Sequence, residues 1–407
     1  MNRSAAQLSG GRQTLLVALL SLNFGIVFFD RQATNFLMPF IQPELGLTNT
    51  QVGNIASALS FSWALAAFGV GRLSDTMGNR KLLLVGSTLA FSACSFLTGL
   101  AQSFAMLLGM RLLMGLAEGG VMPISHAMVA SEVSPERRGL AQGIAQNFGS
   151  NLLGSFVAPV LLVAFAQHFG WRGAFYLAGI PGIVSGLAIW FLIDEPQALP
   201  AQSETRESPL AVLRDRNVLL CCLMAIVLVS YLVICWAFMP LYLTRVRGLD
   251  PATMGWLMGV LGISATLGSF LTAGLSDLAG RLVIMPIISL ILPLGAMYWT
   301  GSTWGLAVIF FFGWALNGVF PLFMATVPSE SVPPRQVATA LGLCMGTGEV
   351  LGGVLAPSLA GMAADAHGLT APLWIMTGLT LLGAVLALGL RETAPRSLAR
   401  RAAMVTE

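Results

Sequence analysis

Long apolar runs separated by short polar intervals make up most of the chain. Runs able to cross about 30 Å of hydrocarbon fall near residues 13–42, 50–73, 81–100, 103–130, 138–166 and 172–193. A polar interval follows from Asp194 to Arg216. It holds Pro196, Pro200, Ser203, Glu204, Arg206, Glu207 and Pro209, the composition of a flexible linker. Six more runs lie near 217–244, 252–276, 282–300, 303–328, 336–364 and 371–390. The pattern predicts an all-α membrane protein with twelve transmembrane helices. Residues 1–193 form the first six-helix bundle, 194–216 a linker, and 217–407 the second bundle.

An internal repeat supports this division. A shift of 198 residues lays Gly115, Ala117, Gly120, Val121 and Pro123 on Gly313, Ala315, Gly318, Val319 and Pro321. The polar loop beyond follows the same offset, with Ser131, Glu132, Pro135 and Arg137 on Ser329, Glu330, Pro333 and Arg335. Farther on, Gly154, Ala158 and Pro159 fall on Gly352, Ala356 and Pro357. Small apolar matches alone could be chance, but the loop match at one offset favours duplication. Pseudo-symmetric six-helix halves are typical of transporters, with a central cavity at the midplane between them.

Composition agrees with a membrane protein: 56% of the residues are hydrophobic and 10% charged, against about a quarter charged in soluble domains. The net charge of +3 is small and scattered, which gives no footprint for nucleic acid. Of 21 Lys and Arg, three (Arg172, Arg245, Arg247) fall in predicted outer turns, two (Arg31, Arg111) within apolar runs, and the other 16 on the inner side if the amino terminus is inside. That bias places both termini in the cytoplasm. Most outer turns are short and uncharged, which leaves no sizeable extracellular domain for a protein partner. The five cysteines, Cys94, Cys221, Cys222, Cys235 and Cys344, lie in apolar runs without metal-ligand spacing and read as core residues.

Charges inside the apolar runs carry the candidate chemistry. Arg111 and Glu118 are seven residues apart in the fourth run, so they return to within about 20° of one helix face, about 10 Å apart along it. Asp30-Arg31 lies deep in the first run, at a height between them. A bare charge near the bilayer centre costs on the order of 3 kcal/mol or more. Buried ion pairs that merely join helices would be one explanation, yet packed apolar residues usually stabilise as well. Charges kept at that cost point to function. Glu349 lies near the midplane of the eleventh run, where its repeat counterpart is Asn151. Asn35, Asn147, Tyr231, Trp236, Tyr242 and Asn317 lie at matching depth as candidate cavity-lining residues, and His126 is a further titratable group in the fourth run.

The loop after the second run reads Gly71-Arg-Leu73-Ser-Asp75-Thr-Met-Gly78-Asn-Arg80-Lys81, with a weaker copy, Gly274-Leu-Ser-Asp277-Leu-Ala-Gly280-Arg281, in the second half. This pattern resembles the cytoplasmic signature of the major facilitator superfamily, Gly-x-Leu-x-Asp-x-x-Gly-x-Arg-Lys, and the resemblance covers the whole chain. It implies two bundles that rock about a central cavity, with Gly71, Asp75, Gly78, Arg80 and Asp277 forming a cytoplasmic gate.

Asp30-Arg31, Arg111-x-x-x-Gly115-x-x-Glu118 and Pro135-Glu-Arg137-Arg138-Gly139 are together similar to the anion:cation symporters, bacterial carriers of organic anions and their vesicular relatives. Trp171-Arg-x-Ala-Phe175 and Asp194-Glu195-Pro196 add to the likeness, and spinster-like lipid carriers share parts of it. The resemblance implies proton coupling at Asp30 and Glu118 and a substrate carboxylate at Arg31. Two departures matter. The seventh run, Tyr231 to Pro240, lacks the arginine that some members use as a second anion anchor, and Glu349 adds a third acid against Arg31 and Arg111. With all five ionised the site would repel an anion, so at least one acid has to be protonated when an anion binds, since burial disfavours a charged carboxylate.

No phosphate loop, catalytic Ser/His/Asp set or zinc spacing occurs, so no enzyme activity, cofactor or metal is expected. The fifth run lacks the Gly-Pro-x-x-Gly-Gly pattern of drug/proton antiporters, since Gly149-Ser-Asn-Leu-Leu-Gly154 continues to a distant Pro159. The expectation is a monomeric, proton-coupled importer of a small organic anion, a monocarboxylate or sugar acid, in a bacterial cytoplasmic membrane. Arg31 and Arg111 supply positive charge, Asp30 and Glu118 carry protons, and Glu349 tunes the site or takes another. The competing expectations are export or flipping of an amphipathic, lysolipid or drug-like substrate, and a non-transporting membrane sensor.

Overall fold

The structure, a computed structural model, describes residues 10–77, 79–195, 209–279, 291–314, 320, 322–333 and 336–393. Among these residues every regular element is helical. In the first half run α1 (Gly10–Leu45), α2 (Asn49–Met77), α3 (Arg80–Gly99), α4 (Phe104–Glu118), α5 (Val121–Glu132), α6 (Pro135–Gly143) and α7 (Ala158–Leu192). In the second run α8 (Arg216–Arg245), α9 (Pro251–Ala279), α10 (Ile291–Tyr298), α11 (Thr303–Trp314), α12 (Val327–Ser331), α13 (Val337–Thr347), α14 (Ala356–His367) and α15 (Ala371–Leu388).

Seven stretches among the described residues are long and apolar enough to cross a membrane: Gly10–Leu45, Arg80–Gly99, Phe104–Glu132, Leu140–Leu192, Arg216–Arg245, Thr339–His367 and Ala371–Leu388. The 53-residue stretch Leu140–Leu192 carries both the fifth and the sixth predicted runs. Its backbone turns at Gly170, with φ 74° and ψ 163°, a conformation open to glycine and strained for any residue with a Cβ. The fourth predicted run is interrupted at Gly119-Gly120, between α4 and α5. Parts of the ninth and tenth runs, residues 282–290, 315–319 and 321, lie outside the described residues.

The predicted repeat reappears in local geometry. Wider π-helical turns occupy Ser150–Val157 and Gly348–Leu355, the same positions at the 198-residue offset. Each leads into a helix that starts Ala-Pro, at Ala158 in α7 and Ala356 in α14. Contacts repeat as well: a Cβ on Gly154 would meet Phe28, and one on Gly352 would meet the carbonyl of Ile226, at 2.5 and 2.6 Å. Phe28 and Ile226 are themselves 198 apart, so the close helix crossing is duplicated with the sequence.

The chain divides into two compact units, Met1–Leu47 with Ala58–Ser203, and Thr48–Ser57 with Glu204–Glu407. In the first unit α1 packs on α3 and α7, and Leu20, Phe24, Leu84, Phe91, Ile124, Met128 and Ile189 form its core. Asn23 joins three helices there: its amide donates to Thr88 at 3.1 Å and its carbonyl accepts from Ser185 at 2.9 Å. The α3 amino end is closed from outside the helix. The Glu195 carboxylate accepts from the backbone N–H groups of Arg80 and Lys81 at 2.6 and 3.0 Å, filling two of the positions that a helix start leaves unbonded. Asp194 pairs with Arg12 at 3.2 Å.

In the second unit Val218, Met224, Phe323, Val327, Ala340 and Ala387 form a core around α8. The Asp365 carboxylate caps the Thr48–Ser57 segment, accepting from the N–H groups of Asn49 and Thr50 at 2.8 Å each and from the Thr50 hydroxyl at 2.6 Å. The outward faces are apolar: Ile180, Val184, Leu187 and Phe191 on α7, and Leu381, Val385 and Leu388 on α15, are exposed. Such stripes at helical spacing suit lipid and would be unfavourable in water.

Candidate functional site

The candidate site lies within the first unit, where α1, α3, α4 and α7 present charged and aromatic side chains to one another. α1 is 36 residues long and free of charge between Arg12 and Asp30, so Asp30 sits about 30 Å along it from Gly10. It is fully buried. One carboxylate oxygen, Oδ1, accepts from the Ser95 hydroxyl of α3 at 2.7 Å; Oδ2 has no hydrogen-bond partner among the described residues. The same hydroxyl lies 3.1 Å from the Phe175 carbonyl of α7, so its single proton is contested by two acceptors.

Arg31, the next residue, turns to another side of α1 and is half-buried. Its guanidinium lies over the rings of Phe28 and Trp63, 5.6 and 5.5 Å from their centroids. Cation–π placement of this kind holds a positive charge among apolar groups without neutralising it.

Arg111 of α4 is 1% exposed. One terminal nitrogen donates to the Arg31 carbonyl at 3.4 Å, and the guanidinium lies 5.9 Å from the centre of the Phe175 ring. Its Nε and other terminal nitrogen have no hydrogen-bond partner among the described residues. Glu118, two turns on and also 1% exposed, has none for either carboxylate oxygen. Asp30, Arg31, Arg111 and Glu118 form no ion pair within 4.0 Å among the described residues. Arg111 and Glu118 share a helix face without touching, since two turns separate their backbones by about 10 Å.

Buried polar atoms are nearly always bonded, and leaving a charged one unbonded costs more than leaving a neutral one. Asp30, Arg111 and Glu118 together hold five such atoms inside one unit. This arrangement suits groups that exchange partners, since a charge with an open position can meet a substrate carboxylate or a proton.

Asn35 donates to Gln32 one turn back at 2.8 Å, so its amide is engaged within α1. Tyr231 and Trp236 are buried in the second unit beside Trp314, with ring centroids 6.1 and 5.3 Å from it. Glu349 is half-buried in the π-helical turn Gly348–Leu355. Arg80 is buried at the start of α3, where its backbone donates to Glu195. Gly71 and Asp75 fall in the last turns of α2, Asp277 in the last turn of α9, and Asn147 in the turn Ile144–Phe148; their side chains, and Gly78 and Asn317 altogether, lie outside the described residues.

Ser95, Phe175 and Trp63 are the participants that sequence reasoning did not select. Phe175 had a signal, since it closes the Trp171-Arg-x-Ala-Phe motif. The same motif also anchors its own end: the Trp171 indole donates to Glu44 at 2.6 Å and Arg172 pairs with the same carboxylate.

Comparison with known proteins bears on this arrangement. The family model described as Major Facilitator Superfamily matches residues 20–345 and 234–404. The probable sulfoacetate transporter of Cupriavidus necator is 33% identical over 165 residues, a match spanning 40% of this chain and 38% of that relative. The gentisate transporter of Corynebacterium glutamicum is 28% identical over 370 residues, 85% of this chain and 81% of its own. A multidrug resistance protein of Salmonella dublin is 25% identical over 376 residues, covering 88% and 91%. Among solved structures, a bacterial homologue of the human lysosomal transporter spinster superposes with a TM-score of 0.77 at 19% identity, covering 94% of this chain and 98% of that one. The spinster likeness concerns the fold alone.

Proposed function

The chain belongs to the major facilitator superfamily, a family of carriers and not of enzymes, and on that premise we propose that it is a proton-coupled symporter of a small organic anion. The observation that carries this reading is the set of two arginines and two acids in the first unit, none ion-paired and five of their buried polar atoms unbonded among the described residues. The named substrates of the sulfoacetate and gentisate relatives are organic acids, which supports an anionic substrate.

In this reading Arg31 and Arg111 receive the substrate carboxylate, the planar guanidinium offering two parallel donors to it. Glu118 carries the coupled proton. Burying a carboxylate as an anion costs far more than burying the neutral acid, so protonation of Glu118 leaves the neighbouring positive charge available to the substrate. Release of substrate and proton on the other side returns the set to its starting charge. Asp30, held by Ser95, balances the arginines and serves as a second proton site, and Glu349 tunes the second half. The carrier has twelve spans in two bundles, works by alternating access in the bacterial cytoplasmic membrane with both termini inside, and acts as a monomer. The substrate is a monocarboxylate or sugar acid.

A second reading, export of an amphipathic or drug-like substrate by proton antiport, is supported by the match to the multidrug resistance protein. Anion-dependent proton movement in reconstituted vesicles separates the two: symport carries protons with the anion, antiport carries them against the drug.

A further inference from the structure

The cysteines of the second unit include a pair that the transport cycle above does not use. The sulfur atoms of Cys222 in α8 and Cys344 in α13 lie 3.5 Å apart. Both are free thiols, Cys222 4% exposed and Cys344 fully buried, among Val218, Met224, Phe323 and Ala340. We propose that Cys222 and Cys344 are an oxidisable thiol pair whose disulfide ties α8 to α13 and slows the carrier reversibly.

Geometry supports the bond. A disulfide places its sulfurs about 2.05 Å apart, so the pair has to close by about 1.5 Å, a distance that small side-chain rotations share. Cys222 is six residues from the start of α8 and Cys344 seven from the start of α13, about 9–10 Å along each helix. Both therefore lie near helix ends, beside the polar layer in which Asn217 bonds Ser331 and the Arg391 backbone. An oxidant that partitions at a membrane surface has a short path to them. Cys221, although adjacent in sequence, projects about 100° away around α8.

The site of the bond gives it a consequence. α13 continues directly into the π-helical turn Gly348–Leu355, which carries Glu349. That turn meets α8 through glycines: a Cβ on Gly348 would lie 3.2 Å from the Ala225 carbonyl, and one on Gly352 2.6 Å from that of Ile226. Smooth backbone contact of this kind permits sliding, and a covalent tie just before it pins the register in which Glu349 is presented.

An organic hydroperoxide is a sufficient oxidant. The thiolate of Cys222, the more exposed of the two, attacks the outer peroxide oxygen; the O–O bond breaks and gives the Cys222 sulfenic acid and an alcohol. The Cys344 sulfur then attacks the Cys222 sulfur, and the hydroxyl leaves as water. In sum two thiols lose two electrons and two protons, and the peroxide is reduced to alcohol and water.

The test uses the full-length protein in lipid vesicles, treated with cumene hydroperoxide. Peptide mapping without reductant should yield a joined species containing Cys222 and Cys344, lighter by two hydrogens than its parts. The rate readout rests on the symport reading: uptake should fall at least fivefold and recover with dithiothreitol. Cys344→Ser and Cys222→Ser carriers should not respond, while Cys221→Ser should respond as the parent does. Absence of the joined peptide, a Cys221–Cys344 species in its place, or a joined peptide with unchanged uptake would overturn the proposal. If the reduced protein carries no anion at all, the symport reading fails, and the peptide map still decides the pairing.

Discussion

The Ser95 hydroxyl donates to Oδ1 of Asp30 at 2.7 Å, and among the described residues it is the one hydrogen bond that this buried carboxylate receives. It crosses from α3 to α1 and fixes the orientation of the acid on which Arg111 acts through space. Ser95→Ala would leave both oxygens unbonded. Stability should drop by about 1–3 kcal/mol, read as a lower Tm of the detergent-solubilised protein, with Ser95→Thr retaining most of it. An unchanged Tm in the alanine variant would show that the bond does not hold Asp30.

Glu118→Gln removes the proposed proton carrier while keeping its volume. Accumulation driven by a pH gradient should fall at least tenfold, while exchange of internal for external substrate continues. Gradient-driven uptake and counterflow in the same vesicles separate these effects, and intact uphill accumulation would refute the role.

Arg111→Lys keeps the charge and loses the planar donor set. The half-saturation concentration for the anion should rise about tenfold, equivalent to about 1.4 kcal/mol. The variant should still fold, because the lysine stem fills much of the same space among apolar neighbours. Parental kinetics would place the substrate carboxylate elsewhere.

Glu195→Ala removes the external cap on α3. Loss of a helix amino-terminal cap costs about 0.5–2 kcal/mol, here concentrated at Arg80 and Lys81. Hydrogen exchange should quicken first in the peptide that spans residues 79–85, with little change in α7. Uniform protection across the variant would show that Asn79, whose side chain accepts from the Leu82 N–H at 3.3 Å, suffices alone.

Much of this was legible in the residue pattern, because charge in an apolar run is conspicuous. Asp30, Arg31, Arg111 and Glu118 were all visible for that reason, and the structure brings them into one unit. Ser95 was not. Ser92 and Thr98 on the same helix bond their own backbone, to the carbonyls of Thr88 and Cys94, as isolated hydroxyls in apolar helices usually do. Nothing in the sequence distinguishes Ser95, which instead bonds outward. The absence of an Arg111–Glu118 ion pair follows from helix rise, since sharing a face is not the same as touching. The 198-residue repeat was readable from glycines and prolines, while the π-helical turns it carries were not, because they arise from backbone spacing at the α1 and α8 crossings.

The most direct measurement of proton-coupled anion uptake places the purified protein in lipid vesicles loaded with a pH-sensitive dye and offers a panel of monocarboxylates, sugar acids and aromatic acids. One anion should acidify the vesicle interior when added outside, in step with its own uptake, and the Glu118→Gln carrier should abolish the acidification. Anion flux without proton movement, or proton efflux driven by an apolar drug in place of an anion, would contradict proton-coupled symport.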